Sequence, residues 1–167
     1  MAENITTKIK ILIIQIVVLN LIFAIAVFAE DCDKPELSTG QRLYVPAYSN
    51  ITYSDSDRPF LLYINLSIRN IDQHNKIMIT KVDYYETKGK LMVEYIDTVI
   101  VLGPLESMMY MVPEKDESGG SGANFIVEWS AEKCTNPPIV ESIMIGRWPT
   151  EGVSFTSRGQ VIVDSER

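Results

Sequence analysis

The sequence predicts an all-β domain: an antiparallel sandwich of immunoglobulin-like type, built from about eight or nine short strands. An apolar N-terminal helix, acting as signal peptide or anchor, is expected ahead of it. Three observations carry this. Alternation of period two recurs from residue 38 onward, and no long stretch after Ala29 shows helical periodicity. Turn residues separate the alternating runs at intervals of roughly ten residues, the spacing of sandwich and barrel folds. Neither an internal repeat nor a low-complexity tract interrupts the pattern.

"QRLYVPAY" opens the series, and Pro46 marks an edge or a bend because proline cannot donate to a ladder. "FLLYINLSIRN", residues 60–70, is the clearest strand. Leu62, Ile64, Leu66 and Ile68 share one face, and Leu61, Tyr63, Asn65, Ser67 and Arg69 share the other. "IMITKVDYYE", 77–86, is a second strand, followed by "TKGK", whose Gly89 signals a tight turn. "LMVEYIDTVIVL", 91–102, reads as one strand with a bend or bulge. "SMMYMV" ends at Pro113, with Met109 and Met111 on one face and Met108 and Tyr110 on the other. "NFIVEW" places Phe125, Val127 and Trp129 together. "IVESIMIG" follows Pro137–Pro138, and "GVSFTS" and "GQVIVD" are expected to form a closing pair around Arg158–Gly159.

The first 29 residues are of another kind. Lys8 and Lys10 precede an apolar run from Ile11 to Phe28, and Val27–Phe28–Ala29 offers small residues for cleavage after Ala29. The same run, at roughly 20 residues, is long enough to span a bilayer, so cleaved signal and retained anchor are both open. Either way the lysines stay cytoplasmic and residues 30–167 are exported. The organisation expected is therefore a leader at 1–29, a linker at 30–37, the sandwich at 38–163 and a frayed tail at 164–167.

The chain carries a net charge of −7. It stays acidic once Lys8, Lys10 and Glu3 are set aside, and it has no basic run, which argues against nucleic-acid binding. The same charge balance makes it a poor candidate for docking on anionic lipid by charge alone. Membrane contact is expected only through an uncleaved leader. The two cysteines, Cys32 and Cys134, form the candidate disulfide. Closing a loop of about 100 residues contributes on the order of 4–5 kcal/mol in the chain-entropy model.

"RLYVPAYS", "LSIRN", "VDYYETKGKL", "SGGSGANFIVEW" and "VESIMIG…GVSFTSRG" together resemble a bacterial family of exported proteins, domain of unknown function 3124. The resemblance covers about residues 38–163 and rests on five blocks in the right order. It implies a periplasmic location, or one on the extracytoplasmic face of the inner membrane, and no assigned activity. Similar sequences carry histidine where this one has Asn50, so no metal or acid–base role extends to that position.

"DESGGSGAN", residues 116–124, is the main site candidate. A nucleotide cradle needs a lysine and a hydroxyl residue after its last glycine and a helix behind it, whereas here Ala123–Asn124 lead into a strand. The alternatives are a binding loop or a long sandwich turn. As a binding loop it would use Asp116, Ser118, Gly119, Gly120, Ser121, Gly122 and Asn124, with glycine N–H groups forming an anion nest. Tyr44, Tyr48 and Tyr53 cluster in a turn-rich region beside Asn50 and suit a recognition surface as well as a strand. His74, the sole histidine, lies in a polar turn with no recognisable nucleophile to serve. Asp31 with Asp33, or Asp55 with Asp57, can offer oxygens to calcium but do not continue into a spaced ligand set. Met108, Met109 and Met111 fit copper or core packing. Arg69 and Arg158 are expected to pair with an acid such as Asp116 or Glu128.

The expected function is a non-catalytic exported module that binds a protein or envelope component through its loops. A small-ligand or metal-binding protein (calcium or copper) is the alternative, and an enzyme comes behind both. No cofactor, catalytic residue or metal ligand is assigned.

Overall fold

The computed structural model describes residues 32, 34, 36–52, 59–147 and 152–162. The chain divides into two compact units, 1–33 and 34–167. The leader, Asp31, Asp33, Tyr53, Asp55, Asp57 and the tail at 164–167 lie outside the described residues. Among the described residues every regular element is a strand, and no helix is long and apolar enough to cross a membrane.

The described residues form twelve strands: β1 (Ser38–Pro46), β2 (Asn50–Thr52), β3 (Pro59–Leu61), β4 (Tyr63–Arg69), β5 (Ile77–Tyr85), β6 (Leu91–Glu94), β7 (Ile100–Leu102), β8 (Ser107–Val112), β9 (Asn124–Thr135), β10 (Ile139–Arg147), β11 (Gly152–Arg158) and β12 (Gln160–Val161). They exceed the eight or nine expected because strands of two or three residues leave no readable alternation. All pairings are antiparallel. One sheet runs β12-β1-β9-β5-β6, with β7 also on β5; a second runs β11-β10-β4-β8; β2 and β3 form a short ribbon.

The alternation read from the sequence is realised most fully in β4. Leu62, just before it, and Ile64, Leu66 and Ile68 within it are all fully buried. Residues opposite across an antiparallel ladder share a face, so β4 sets the buried face of its neighbours. Leu66 stands opposite Ser142 and Tyr110, and Ile64 opposite Met144 and Val112. The larger sheet contributes Leu43 and Val45 from β1, Ile77, Ile79, Val82 and Tyr84 from β5, and Phe125, Val127 and Trp129 from β9. All belong to one apolar cluster with the β4 residues. Truncating any of them to alanine is expected to cost about 2–5 kcal/mol.

Two sequence expectations need correction. Residues 91–102 are two strands, both on β5: Val93 faces Tyr84, and Leu102 faces Ile77. Between them Tyr95 makes a last bond to β5, its N–H donating to the Val82 carbonyl at 2.8 Å, and its ring lies 4.9 Å from Tyr110 and 6.1 Å from Phe125. The second correction concerns the C-terminal pair. β11 pairs with β10 and β12 with β1, so they are not partners of each other. The chain passes from one sheet to the other at Gly159. Its N–H donates to the Val140 carbonyl at 2.8 Å, and a Cβ there would lie 3.2 Å from that same oxygen.

The remaining turn and cysteine expectations hold. Gly89 has φ +82° in the turn between β5 and β6, closed by the Gly89 N–H donating to Glu86 at 2.8 Å. Pro46 ends β1, beyond the residues that pair with β12, where its missing N–H costs no ladder bond. Cys32 and Cys134 are joined in a disulfide.

Candidate binding surface

The glycine-rich loop is held from within. Thr87 donates through both its N–H and its hydroxyl to the Gly119 carbonyl, each at 2.9 Å, and its hydroxyl accepts from the Gly122 N–H at 3.0 Å. Ser49 donates through its N–H and hydroxyl to the Gly120 carbonyl at 3.0 and 3.2 Å. Ala47 donates to Ala123. The N–H groups of Ser118 and Gly120 are taken by Asp116 and Glu117. Glycine is required at two places. A Cβ at Gly119 would lie 1.9 Å from the Tyr84 hydroxyl, and Gly120 has φ +73°. Burial, then the Asp116 carboxylate, pushes the Tyr84 hydroxyl well above the usual tyrosine range. The side chains of Ser118 and Ser121 stay exposed at the tip, and Asn124 begins β9.

The loop and the tyrosine segment do meet, through the backbone of residues 47–49. Tyr48 is half-buried with its ring 5.7 Å from Phe155, while Tyr44 projects from the exposed face of the larger sheet. Tyr44 and Tyr48 therefore lie on different surfaces.

The turn containing His74 is organised by its neighbour Asp72. This carboxylate accepts from the N–H groups of His74, Asn75 and Asn136, from the Asn136 amide and from the Thr135 hydroxyl, at 2.8–3.3 Å. Burial opposes its ionisation, but these bonds outweigh burial and hold its pKa far below the usual carboxylate range. Asn70, also buried, donates to the carbonyls of Asn75, Leu102 and Gly103. The turn is a polar latch, and His74 contributes its backbone N–H while its side chain is exposed.

The exposed faces of the two sheets differ in chemistry. On the larger sheet Arg42, Glu128 and Lys81 stand side by side on adjacent strands. Arg42 bonds Glu128 at 2.8 Å, and Lys81 bonds Asp83 at 3.1 Å, which raises the lysine pKa. On the smaller sheet the outward-facing positions include Met109 and Met111 on β8 and Ile145 on β10, all exposed, with Tyr63 and Asn65 on β4 and Ile143 on β10 half-buried between them. Met109 and Met111 are 57% and 55% exposed. Single exposed apolar residues are ordinary, but a contiguous cross-strand set is the kind of patch that marks an interaction site.

Polar groups rim this patch. Arg69 and Arg158 approach the Glu141 carboxylate from two sides at 3.9 and 4.0 Å, and Arg69 also donates to the Ser67 hydroxyl at 3.0 Å. Glu141 is thus their partner in place of the expected Asp116 or Glu128. The four strands carry three arginines, Arg69, Arg147 and Arg158, against the single acid Glu141. This face is basic on an acidic protein. A shallow groove crosses it, lined by Asn65, Ser67, Arg69, Ser107, Met109 and Ile143 among others. In the groove the Asn65 amide donates to the Met109 sulfur at 3.6 Å, while its carbonyl oxygen is buried without a partner. The alternation of β4 and β8 pointed to these exposed residues; their assembly into one surface depends on strand order, which no local pattern carries. Among the described residues no three His, Cys, Asp or Glu side chains gather as a metal site would need.

No curated protein matches the chain. A solved structure described as Thermotoga maritima 1070 is similar over 72% of this chain and 92% of its own, with 10% identity and a TM-score of 0.40. The family model described as protein of unknown function (DUF3124) matches residues 40–162, nearly the whole described domain, and the chain belongs to that family.

Proposed function

We propose that this protein is an exported, non-catalytic β-sandwich module of immunoglobulin-like type that binds an acidic protein partner at the bacterial cell envelope. The observation that carries the reading is the exposed face of the β11-β10-β4-β8 sheet, where contiguous apolar side chains are rimmed by three arginines and one glutamate. The sandwich reading draws support from two sheets that each bury one face in a common apolar cluster, and from the crossing at Gly159. The Cys32–Cys134 disulfide is consistent with an extracytoplasmic location. Apolar side chains supply contact area at such surfaces, and the arginines select partners of opposite charge. In the glycine loop, contacts would fall to the exposed side chains, since several of its backbone groups serve Thr87 and Ser49.

A photo-crosslinking residue placed at Ile145 or at Ser121, in the native envelope, tests this. Adducts are expected from Ile145 and should weaken on charge reversal at Arg69 and Arg158. Adducts confined to Ser121 would assign binding to the loop instead. A second reading, a small-ligand or soft-metal site, is favoured by one observation: the unpartnered Asn65 carbonyl beside Met109. A thermal shift with silver(I) that Met109→Leu removes would support it; no shift would end it.

A further inference from the structure

The β8 edge of the smaller sheet, which pairs with no further strand among the described residues, carries an inference that is independent of the partner's identity. Exposed strand edges are templates for further pairing, and proteins guard them with charge, proline, bulges or brevity. β12 is guarded by having two residues. β6 is bracketed by Lys90 and Glu94, and β11 runs from Gly152 to Arg158. β8 is flanked by Glu106 and Pro113, but within Ser107 to Val112 it has none of these devices, whereas β6 and β11 each carry a charge inside the strand, Glu94 and Arg158.

The direction of its backbone groups is fixed by two hydrogen bonds. The Asn70 N–H donates to the Glu106 carbonyl at 2.9 Å, extending the β4–β8 ladder. Directions alternate along an antiparallel strand, so residues 108, 110 and 112 bond to β4. Ser107, Met109 and Met111 then point off the sheet. The Tyr95 hydroxyl donating to the Met111 carbonyl at 3.4 Å agrees with this phase, and a contact that long is readily exchanged.

We propose that β8 pairs with β8 of a second copy of this chain, antiparallel about a two-fold axis at Met109, joining two four-stranded sheets into one eight-stranded sheet. In that register Met109 faces its own copy, and Ser107 faces Met111, on the exposed side. On the buried side Met108 faces Tyr110, a thioether against an aromatic ring, which is a favourable contact. Opposite residues fall on matching faces throughout, because the register pairs odd with odd and even with even positions. No charge lies within the paired segment itself, Ser107 to Val112. The fused sheet would present the apolar, arginine-rimmed faces of both copies side by side.

The register makes the proposal decidable in the full chain within its native envelope. The two natural cysteines are already joined, so an engineered cysteine is the only free thiol. Cα atoms of a hydrogen-bonded antiparallel pair lie about 5.5 Å apart, within disulfide reach. Met109→Cys should give a disulfide-linked dimer on mild oxidation, resolved by intact mass, whereas Met111→Cys alone should give at least about tenfold less because it does not face its own copy. Met109→Lys, on an exposed position, should weaken self-association in sedimentation about tenfold or more without unfolding the domain, by placing two like charges in contact. Equal crosslinking at 109 and 111, crosslinking at neither, or an unchanged association of the lysine variant would overturn the pairing. Loss of partner adducts at Ile145 would bear on the binding reading alone.

Discussion

The glycine loop at 116–124 and the exposed face of the β11-β10-β4-β8 sheet are opposites in how they read and how they are built. The loop has the composition of a ligand cradle, yet Gly119, Gly120, Gly122 and Ala123 all spend backbone groups on Thr87, Ser49, Glu117 and Ala47. The sheet face contains no motif, yet it leaves Met109, Met111 and Ile145 in solvent and the Asn65 carbonyl unpaired. Polar atoms satisfied inside the fold have little left for a ligand. The more informative sign of function is apolar area and hydrogen-bonding capacity that the fold leaves unused.

Substitution at Gly119 gives the largest effect in this contrast. Any side chain there meets the hydroxyl of Tyr84, which is fully buried and cannot swing aside. Gly119→Ala is expected to cost about 3 kcal/mol, seen as a lower urea midpoint. A midpoint matching the native protein would mean that the loop relaxes freely, and the contrast between rigid loop and open face would collapse.

Asp72 supplies the next effect, at the second feature that reads as chemistry. Asp72→Asn puts an amide where N–H donors converge and should cost about 2–3 kcal/mol at neutral pH. Its pH dependence has a definite sign. The folded-state pKa is depressed, so the stabilisation is complete above the ordinary aspartate value of about 3.9 and is lost as pH falls below it. Native stability should therefore drop on acidification in that window, and the asparagine variant should show a shallower drop. Identical acid profiles would remove the latch from the account. Thr87→Val comes third. It removes one hydroxyl donor and leaves the Gly122 N–H without its acceptor, a loss of about 1–2 kcal/mol in the same unfolding measurement.

What the sequence made legible follows the range of the interactions. The faces of β4, the turn at Gly89 and the disulfide were readable because each depends on residue type within a few positions, or on there being two cysteines. The split of 91–102 was not, since Tyr95, which stands at the end of β6, packs its ring against rings at positions 110 and 125, far away in the sequence. The passage at Gly159 was misread as a hairpin because a glycine between two alternating runs looks the same in a tight turn and in a crossing. Only packing against Val45 and Val140 distinguishes them. The partner of Arg69 and Arg158 was misplaced for a related reason. Glu141 meets both only because β10 lies between β4 and β11.

The smallest effect sharpens the contrast most, because its sign differs between the readings. Asn65 lies in the middle of β4, a strand otherwise dominated by apolar and β-branched residues, and its side chain is half-buried. Its carbonyl oxygen is buried without a partner, and its amide has only a sulfur acceptor. Asparagine is also a poor strand former. If the fold alone governed this position, valine would serve better: it matches the strand, removes a desolvated acceptor and keeps the apolar contacts. Asn65→Val is thus expected to stabilise the domain by about 0.5–1 kcal/mol while weakening whatever contact the exposed face makes. A gain in stability with a loss of Ile145 adducts would mark Asn65 as held there for binding at a cost to the fold. A loss of stability would show that asparagine belongs to the sheet's own structure, and the face would keep its apolar patch but lose Asn65 as a binding group.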